Sequence, residues 1–369
     1  MQFVVDAREA LAPKRGGKGV YTEFLLRALV TDPRVSKVFL LIESEQNLDC
    51  QDLLKLSEKF SVVAIPGKGL LWHFRAMNRI RRGYLNCRLV STTSFIWPCL
   101  LSSFEEADIW VVVHDLITFL FPKEHNTKAN LIERITLPIL ARIKTVKFIT
   151  VSDNTKNDLL AKFPKLSKNR IFRAHPGLTF AEEKAVKMEV EKDNQQILAV
   201  GTLIPRKNLA QLVRVFLSLI ANEPRFTQLK LNIVGGAGWE SSALEEALSE
   251  DLAQKHIIMH GYLKDEDLER LYRDAAVFVF PSLYEGFGLP MLEAMASGCA
   301  ILASERGSLP EVGADAAIYF NPDSDQDFAD QLRSILLNAE LRAVLIERSQ
   351  QRLKEFSWQE SVDLLVKGV

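Results

Sequence analysis

Residues Phe278 to Ala303 read FVFPSLYEGFGLPMLEAMASGCAILA, and this stretch decides the fold. The apolar run Ala276 to Phe280 predicts a buried strand. Gly286 and Gly288 then let the backbone turn tightly. Pro290 stands where a helix opens, a position at which its missing N–H would have no partner anyway. Met291 to Ala296 are good helix formers. A helix starting there aims unpaired N–H groups and the positive end of its dipole into the loop, which makes a place to hold a phosphate. Glu285 precedes the turn, and Glu293 is expected in the first helical turn. An ionised carboxylate only accepts hydrogen bonds, so the two suit a pair of sugar hydroxyls.

Glu285 and Glu293, separated by seven residues within EGFGLPMLE, resemble the E-x7-E motif of the large retaining GT-B glycosyltransferase family numbered four. The motif is specific when it follows a strand and opens a helix, as here. The resemblance extends over nearly the whole chain. It is strongest from Ile197 to Phe320 and weaker before His114.

A chain of 369 residues exceeds the usual size of one hydrophobic core, so two domains are expected. With 47% hydrophobic and 25% charged residues, the composition is that of an ordinary globular protein. Cys50, Cys87, Cys99 and Cys299 form no C-x-x-C pair, which points to a reducing compartment and away from a zinc or disulfide framework. No apolar run is long enough to span a bilayer, and charges beginning at Asp6 leave no signal peptide. A cytoplasmic location is expected, peripheral at the inner face of the membrane. Residues 1–175 hold 27 Lys+Arg against 17 Asp+Glu, a balance of +10, while 176–369 hold 19 against 30, a balance of −11. The split marks two bodies with different partners.

The order along the chain is that of doubly wound α/β domains. Phe3–Val5 predicts the first strand. Gly16-Gly17-Lys18-Gly19 reads as a loop, followed by a helix from about Val20 to Val30. This is not G-x-G-x-x-G, and no acidic residue follows in the dinucleotide manner, so NAD is disfavoured. Lys68 to Arg88 carries Lys68, Arg75, Arg79, Arg81, Arg82 and Arg88 with no acid, interleaved with Trp72, Phe74 and Met77. Such a helix fits an anionic membrane surface; no nucleic-acid partner is expected. Ile109–Val113 predicts a strand ending at His114, where a parallel sheet presents side chains to ligand. A helix is expected from Asn126 to Ile143, kinked at Pro138. The pattern restarts at Ile197–Val200, followed by Gly201 and Pro205-Arg206-Lys207-Asn208 before a helix at Leu209. Two cations beside helix amides are placed to grip a diphosphate. His256 and His260 stand four apart, but HIIMH reads as a strand and the H-E-x-x-H glutamate is missing, which disfavours zinc. Asp265-x-Asp267 reads as acids in a first helical turn and not as a metal site.

The resemblance implies a GT-B α/β fold of two Rossmann-like domains facing a cleft. The boundaries expected are an acceptor domain over 1–177, a linker over 178–196 and a nucleotide-sugar domain over 197–356. A last helix, about 357–369, would return to the first domain. It implies a metal-independent hexosyltransferase without cofactor, using a nucleoside-diphosphate sugar and retaining anomeric configuration. Catalytic roles fall on His114, Glu285, Arg206 and Lys207. Donor contacts fall on Gly17, Lys18, Gly19, Arg206, Lys207, Tyr262, Glu285, Gly286, Phe287, Gly288, Leu289 and Glu293. Arg206 and Lys207 take the diphosphate, Glu285 and His114 the sugar, Glu293 the ribose and the backbone near Tyr262 the base. The similarity to bacterial surface-polysaccharide members favours GDP-mannose or a UDP-hexose as donor and a glycan or lipid-linked acceptor. A nucleotide-sugar epimerase on the same architecture, and a non-enzymatic nucleotide-sugar or membrane-binding protein, are the alternatives. An epimerase would need a further acid–base set, of which the sequence has no clear signature.

Overall fold

The structure, a computed structural model, describes residues 1–12, 15–43, 51–102, 107–122, 128–179, 193–236, 238 and 242–368. It divides into two units, Met1–Thr179 with Ser357–Val369, and Phe180–Phe356.

In the first unit the chain order is β1 (Gln2–Asp6), α1 (Gly17–Thr31), β2 (Lys37–Ile42), α2 (Gln51–Lys55), β3 (Phe60–Ala64), α3 (Gly69–Gly83), β4 (Arg88–Ser91) and α4 (Ile96–Leu101). It continues with β5 (Ile109–Val113), α5 (Ile117–Leu120), α6 (Lys128–Arg142), β6 (Lys147–Thr150), α7 (Asp153–Lys162) and β7 (Ile171–Arg173). The second unit runs β8 (Asp193–Val200), α8 (Leu209–Asn222), β9 (Lys230–Val234), α9 (Ser242–Leu248), α10 (Asp251–His256), β10 (Ile257–Gly261), α11 (Asp265–Asp274) and β11 (Ala275–Phe280). Then come α12 (Leu289–Ala296), β12 (Ala300–Ser304), α13 (Leu309–Gly313), β13 (Ala317–Phe320), α14 (Asp325–Leu337) and α15 (Ala339–Arg352). A last helix, α16 (Trp358–Lys367), belongs to the first unit.

The first sheet is ordered β3-β2-β1-β4-β5-β6-β7 and the second β10-β9-β8-β11-β12-β13. All pairings in both are parallel. β5 and β11 are buried at every position, as expected of central strands covered by helices on both faces. In each sheet the chain winds outward one way, returns to the middle and winds the other way. The loops at that reversal, beyond β1 and β4 and beyond β8 and β11, splay apart and leave a crevice at the carboxyl ends of the strands. Arg206 and Lys207 follow the carboxyl end of β8, Glu285 follows that of β11 and His114 that of β5.

Several local expectations shift. The glycines at 17 and 19 form the first turn of α1 and not a preceding loop. Of the expected linker, residues 180–192 lie outside the described residues, and 193–196 already belong to β8. The helix expected from Asn126 is described from Lys128, since 123–127 also lie outside. His256 closes α10 instead of opening a strand and bonds the carbonyl of Leu229, whereas His260 bonds Asn232.

α16 is built into the first unit. The Trp358 ring stands 5.0 Å from Tyr21, its Nε1 donates to the carbonyl of Leu178, and a Cβ on Gly177 would come within 2.6 Å of it. Only glycine at 177 leaves room for that indole.

Candidate functional site

In the second unit, β8 ends at Val200 and the chain must turn sharply beside β9. A Cβ on Gly235 would sit 1.9 Å from the carbonyl oxygen of Gly201, so the two strand-ends approach as only glycine permits. Pro205–Lys207 then forms a short 3-10 turn, and Asn208 adopts the left-handed conformation that opens α8. This turn drives Arg206 inward to 6% exposure. Its guanidinium donates to the carbonyl of Tyr284, and its own carbonyl accepts from Leu283 N at 2.9 Å. The loop after β8 is thereby stitched to the loop after β11.

Glu285 lies between the two cations. Lys207 Nζ is 2.5 Å from its Oε1, and Arg206 Nη1 is 3.6 Å from its Oε2. Burial alone would raise this carboxyl, but Lys207 and Arg206 outweigh it and hold it below the usual carboxylate range. The aliphatic stem of Lys207 lies over Gly201, where an added Cβ would press on it at 3.2 Å. The glutamate loop is itself held from behind. Ser308 Oγ donates into the carbonyls of Glu285 and Phe287, and a Cβ on Gly307 would crowd the Glu285 backbone at 2.9 Å.

Gly286, Phe287 and Gly288 are buried, and Leu289 is half-buried. Gly288 is the N-cap of α12, with φ +100°, and no side chain caps it. Leu289 is therefore the first helical residue and Pro290 the second. Glu293 lies beyond the first turn, not within it as its spacing predicts. It is oriented by Tyr272 of α11, whose buried phenol donates to Glu293 Oε2 at 2.9 Å. Burial and the Glu293 charge push that phenol well above its ordinary range, so it remains a donor. Tyr262, expected near a base, is 48% exposed just after β10.

The first unit carries its own cluster. α1 opens at Gly17 with Gly16 as an N-cap and no side-chain cap. A Cβ at Gly17 would meet nothing within 4 Å, whereas at Gly19 it would strike the Glu9 carbonyl at 2.5 Å. Burial opposes the charge of Lys18, but Asp115, Glu133 and Glu9 outweigh it and raise its pKa. Its Nζ stands 4.0 Å from Glu133 on α6. His114 follows β5. Its Nε2 is 2.7 Å from the carbonyl of Thr92, and Tyr21 stands edge-on at 4.8 Å. Burial and the Lys18 cation push the imidazole down to about 4, so it is neutral. A carbonyl only accepts, so Nε2 carries the hydrogen and Nδ1 holds the lone pair. That nitrogen can accept from a hydroxyl.

The expected residues thus gather into two clusters: Arg206, Lys207, Glu285 and the 286–289 turn with Glu293 in the second unit, and Gly17, Lys18, Gly19 and His114 in the first. Tyr272, Ser308 and Glu133 were given no role from the sequence. None carries a local signal, because each acts on a residue distant along the chain.

Comparison with known proteins bears on the family resemblance and the fold. Residues 180–352 match the family described as glycosyl transferases group 1. An O-antigen chain mannosyltransferase B of Escherichia coli is 36% identical over 162 residues, 44% of this chain and 42% of that protein. The serotype-specific mannosyltransferase WbdA of Escherichia coli aligns over 32% of its own length, so the chain spans well under half of these relatives. The O-antigen chain mannosyltransferase RfbU of Salmonella typhimurium is 25% identical, with 87% of this chain and 88% of that protein aligned. Among solved structures, the glycosyltransferase WaaG superposes with TM-score 0.73 at 16% identity over 99% of each chain. Anabaena HepE, crystallised with UDP and glucose, gives 0.73 at 15% over 100% of this chain and 98% of that one. At such identity the likeness concerns the fold, which is GT-B.

Proposed function

We propose, from the premise that residues 180–352 belong to the group 1 glycosyl transferases, that the protein moves a hexosyl group from a nucleoside-diphosphate sugar to a glycan or lipid-linked acceptor in bacterial surface-polysaccharide synthesis. The observation that carries this reading is the buried Arg206–Lys207–Glu285 group beside the openings of α8 and α12. It pairs two cations with one internal carboxylate and suits an anion.

A diphosphate brought to this group supplies a stronger partner for both cations. Lys207 then turns from Glu285 to phosphate, and Glu285 Oε1 becomes available to accept from sugar hydroxyls. Each charge pair at ~4 Å and an effective dielectric of ~20 is worth about 4 kcal/mol before desolvation. The same contacts strengthen as the sugar–phosphate bond breaks and charge gathers on the leaving oxygen. That oxygen can take the acceptor's proton on the face it leaves, which yields retention without a side-chain nucleophile. Glu293, held by Tyr272, reads the ribose hydroxyls. In the first unit, the neutral His114, accepting at Nδ1, suits a hydroxyl, and Gly17 to Gly19 present helix amides that suit a phosphate. Because side chains and amides meet the charge, transfer is proposed to proceed without metal, and activity that persists in EDTA is the expected result.

The names of the relatives support a mannosyl group, with GDP-mannose the first donor to test and a UDP-hexose the second. The exposed leucines and phenylalanine of α3 support contact with an anionic membrane surface. Leu70, Leu71 and Phe74 are exposed, whereas Trp72 is fully buried, stacked under Arg8 at 3.6 Å, and is no surface anchor. Arg88 is likewise spent, paired with Asp108 at 2.6 Å. The described residues include no helix long and apolar enough to cross a membrane.

A thermal-shift panel of UDP, GDP, ADP and their sugars tests the donor site. A ligand at ~100 times its Kd adds about 2.7 kcal/mol of stability. Absence of any shift, together with no diphosphate release in the presence of polysaccharide acceptors, would overturn the reading. Isomerised donor without acceptor would mean an epimerase.

A further inference from the structure

The first unit has a second feature that the transferase reading does not use. Between the carboxyl ends of α6 and α7 lies a hollow of about 830 Å³. Arg142, Lys144, Lys162, Lys165 and Arg170 line it, together with apolar Pro138, Phe163 and Leu166, and no acid does. Arg170 is tied by its guanidinium to the carbonyls of Val146, Ala141 and Leu140 and holds the end of α6 in shape. The other four cations are exposed on the rim.

Cations at helix carboxyl ends have an ordinary explanation, since they complement the helix dipole. The magnitudes do not close here. Two helix ends together supply roughly one negative charge equivalent, against the five cations of the hollow. A positive field remains, concentrated in a concave wall.

α6 adds an apolar approach. Leu131 is 61%, Ile135 55% and Ile139 42% exposed. At this spacing they share the outer face of the helix with Arg142, which sits at the mouth of the hollow. Aliphatic side chains leading to a basic pocket fit an amphiphile better than a nucleic acid, which would need aromatic stacking partners. α3 and α6 both pack against α4, which puts the exposed row of α3 on the same side of the sheet.

We propose that the α6–α7 hollow binds the phosphate of an anionic phospholipid headgroup while Leu131, Ile135 and Ile139 enter the acyl boundary. The proposal extends the membrane reading of α3 but needs neither α3 nor the donor site to be correct. The full chain should float with vesicles containing phosphatidylglycerol and not with phosphatidylcholine alone. The variant R142Q/K144Q/K162Q/K165Q should lose about 100-fold or more in partitioning, since each basic residue near such a surface contributes substantially. It leaves Arg170 in place and should keep the wild-type thermal midpoint. I135E, an exposed change, should weaken binding independently. Vesicle binding retained by the quadruple variant, but lost in L70E/F74E, overturns this inference and leaves the α3 contact standing. The reverse pattern supports the hollow and removes α3. Soluble tripolyphosphate bound without any affinity for vesicles, or an I135E-sensitive dimer in sedimentation, overturns the lipid assignment.

Discussion

Lys207 Nζ and Glu285 Oε1 meet at 2.5 Å, across 78 positions of sequence. This lysine thus faces the acid that is assigned to the sugar. Lys207→Met should therefore do two things. It should lower kcat/KM for the donor by about 10²–10³-fold, the usual cost of removing one charge-assisted contact of this kind. It should also free Glu285 from its strongest opposing charge, so that burial raises the carboxyl. Steady-state kinetics with turnover near wild type would contradict the diphosphate role.

Tyr272→Phe removes the phenol from Glu293 while leaving the ring that packs on Phe278 at 5.6 Å. Nucleoside-diphosphate affinity should fall about 5-fold, near the value of one hydrogen bond. Glu293→Gln should cost more, because it replaces a carboxylate that accepts at both oxygens with an amide that accepts at one. Calorimetric titration with the free diphosphate measures both. Equal affinity in all three proteins would detach Glu293 from the ribose.

Gly17 and Gly19 separate a binding requirement from a packing one. Gly17→Ala puts its Cβ into open space and replaces glycine in a helix, a gain of up to about 1 kcal/mol. If that space receives the diphosphate, the variant should melt no lower than wild type yet bind donor more weakly. Gly19→Ala, whose Cβ meets the Glu9 carbonyl at 2.5 Å, should instead lose stability. Thermal melts paired with donor titration distinguish the two, and a Gly17→Ala enzyme with full donor affinity would remove that glycine from the site.

Acid should weaken the first unit through two imidazoles. His73 and His114 are both held down to about 4 from an ordinary 6.5, His73 by burial and then the Arg8 charge, His114 by burial and then Lys18. A depressed folded value means that the unfolded chain binds the extra protons. Stability is thus complete above 6.5 and is lost as the pH falls through the window down to about 4. Each histidine contributes at most about 3 kcal/mol over that range. The thermal midpoint should fall from pH 6.5 to 4.5, and His73→Gln with His114→Gln should flatten the slope. A slope unchanged in the double variant would place the sensitivity elsewhere.

The doubly wound order was legible where strands are short apolar runs such as Ile109–Val113 and Ala275–Phe280 and where Gly or Pro marks the turn that follows, whereas β4 and β13 were not picked out. EGFGLPMLE and PRKN named the main residues of the second cluster for the same reason. What sequence missed follows from two physical causes. Helix propensity places the start of α1 after its glycines, yet a helix that leaves its first amides uncapped can begin within them. Glu293 slipped past the first turn because Gly288, in a left-handed conformation, serves as the N-cap. The partners Tyr272, Ser308 and Glu133 depend on which strands lie side by side, and no local pattern carries that information. Trp72 looked like a surface anchor among arginines, but it donates to the carbonyl of Ile42 inside the core.

The indole of Trp358, lodged against Gly177 and Tyr21, has a consequence for the order of events on the ribosome. Most of the first unit is made before the second, yet the slot beside α1 stays empty until α16 has been made, after the whole second unit. A unit begun before the second one is thus completed only after it. During that interval its uncovered aromatic groove is open to chaperones, and a chain stalled before residue 357 would leave that groove unfilled.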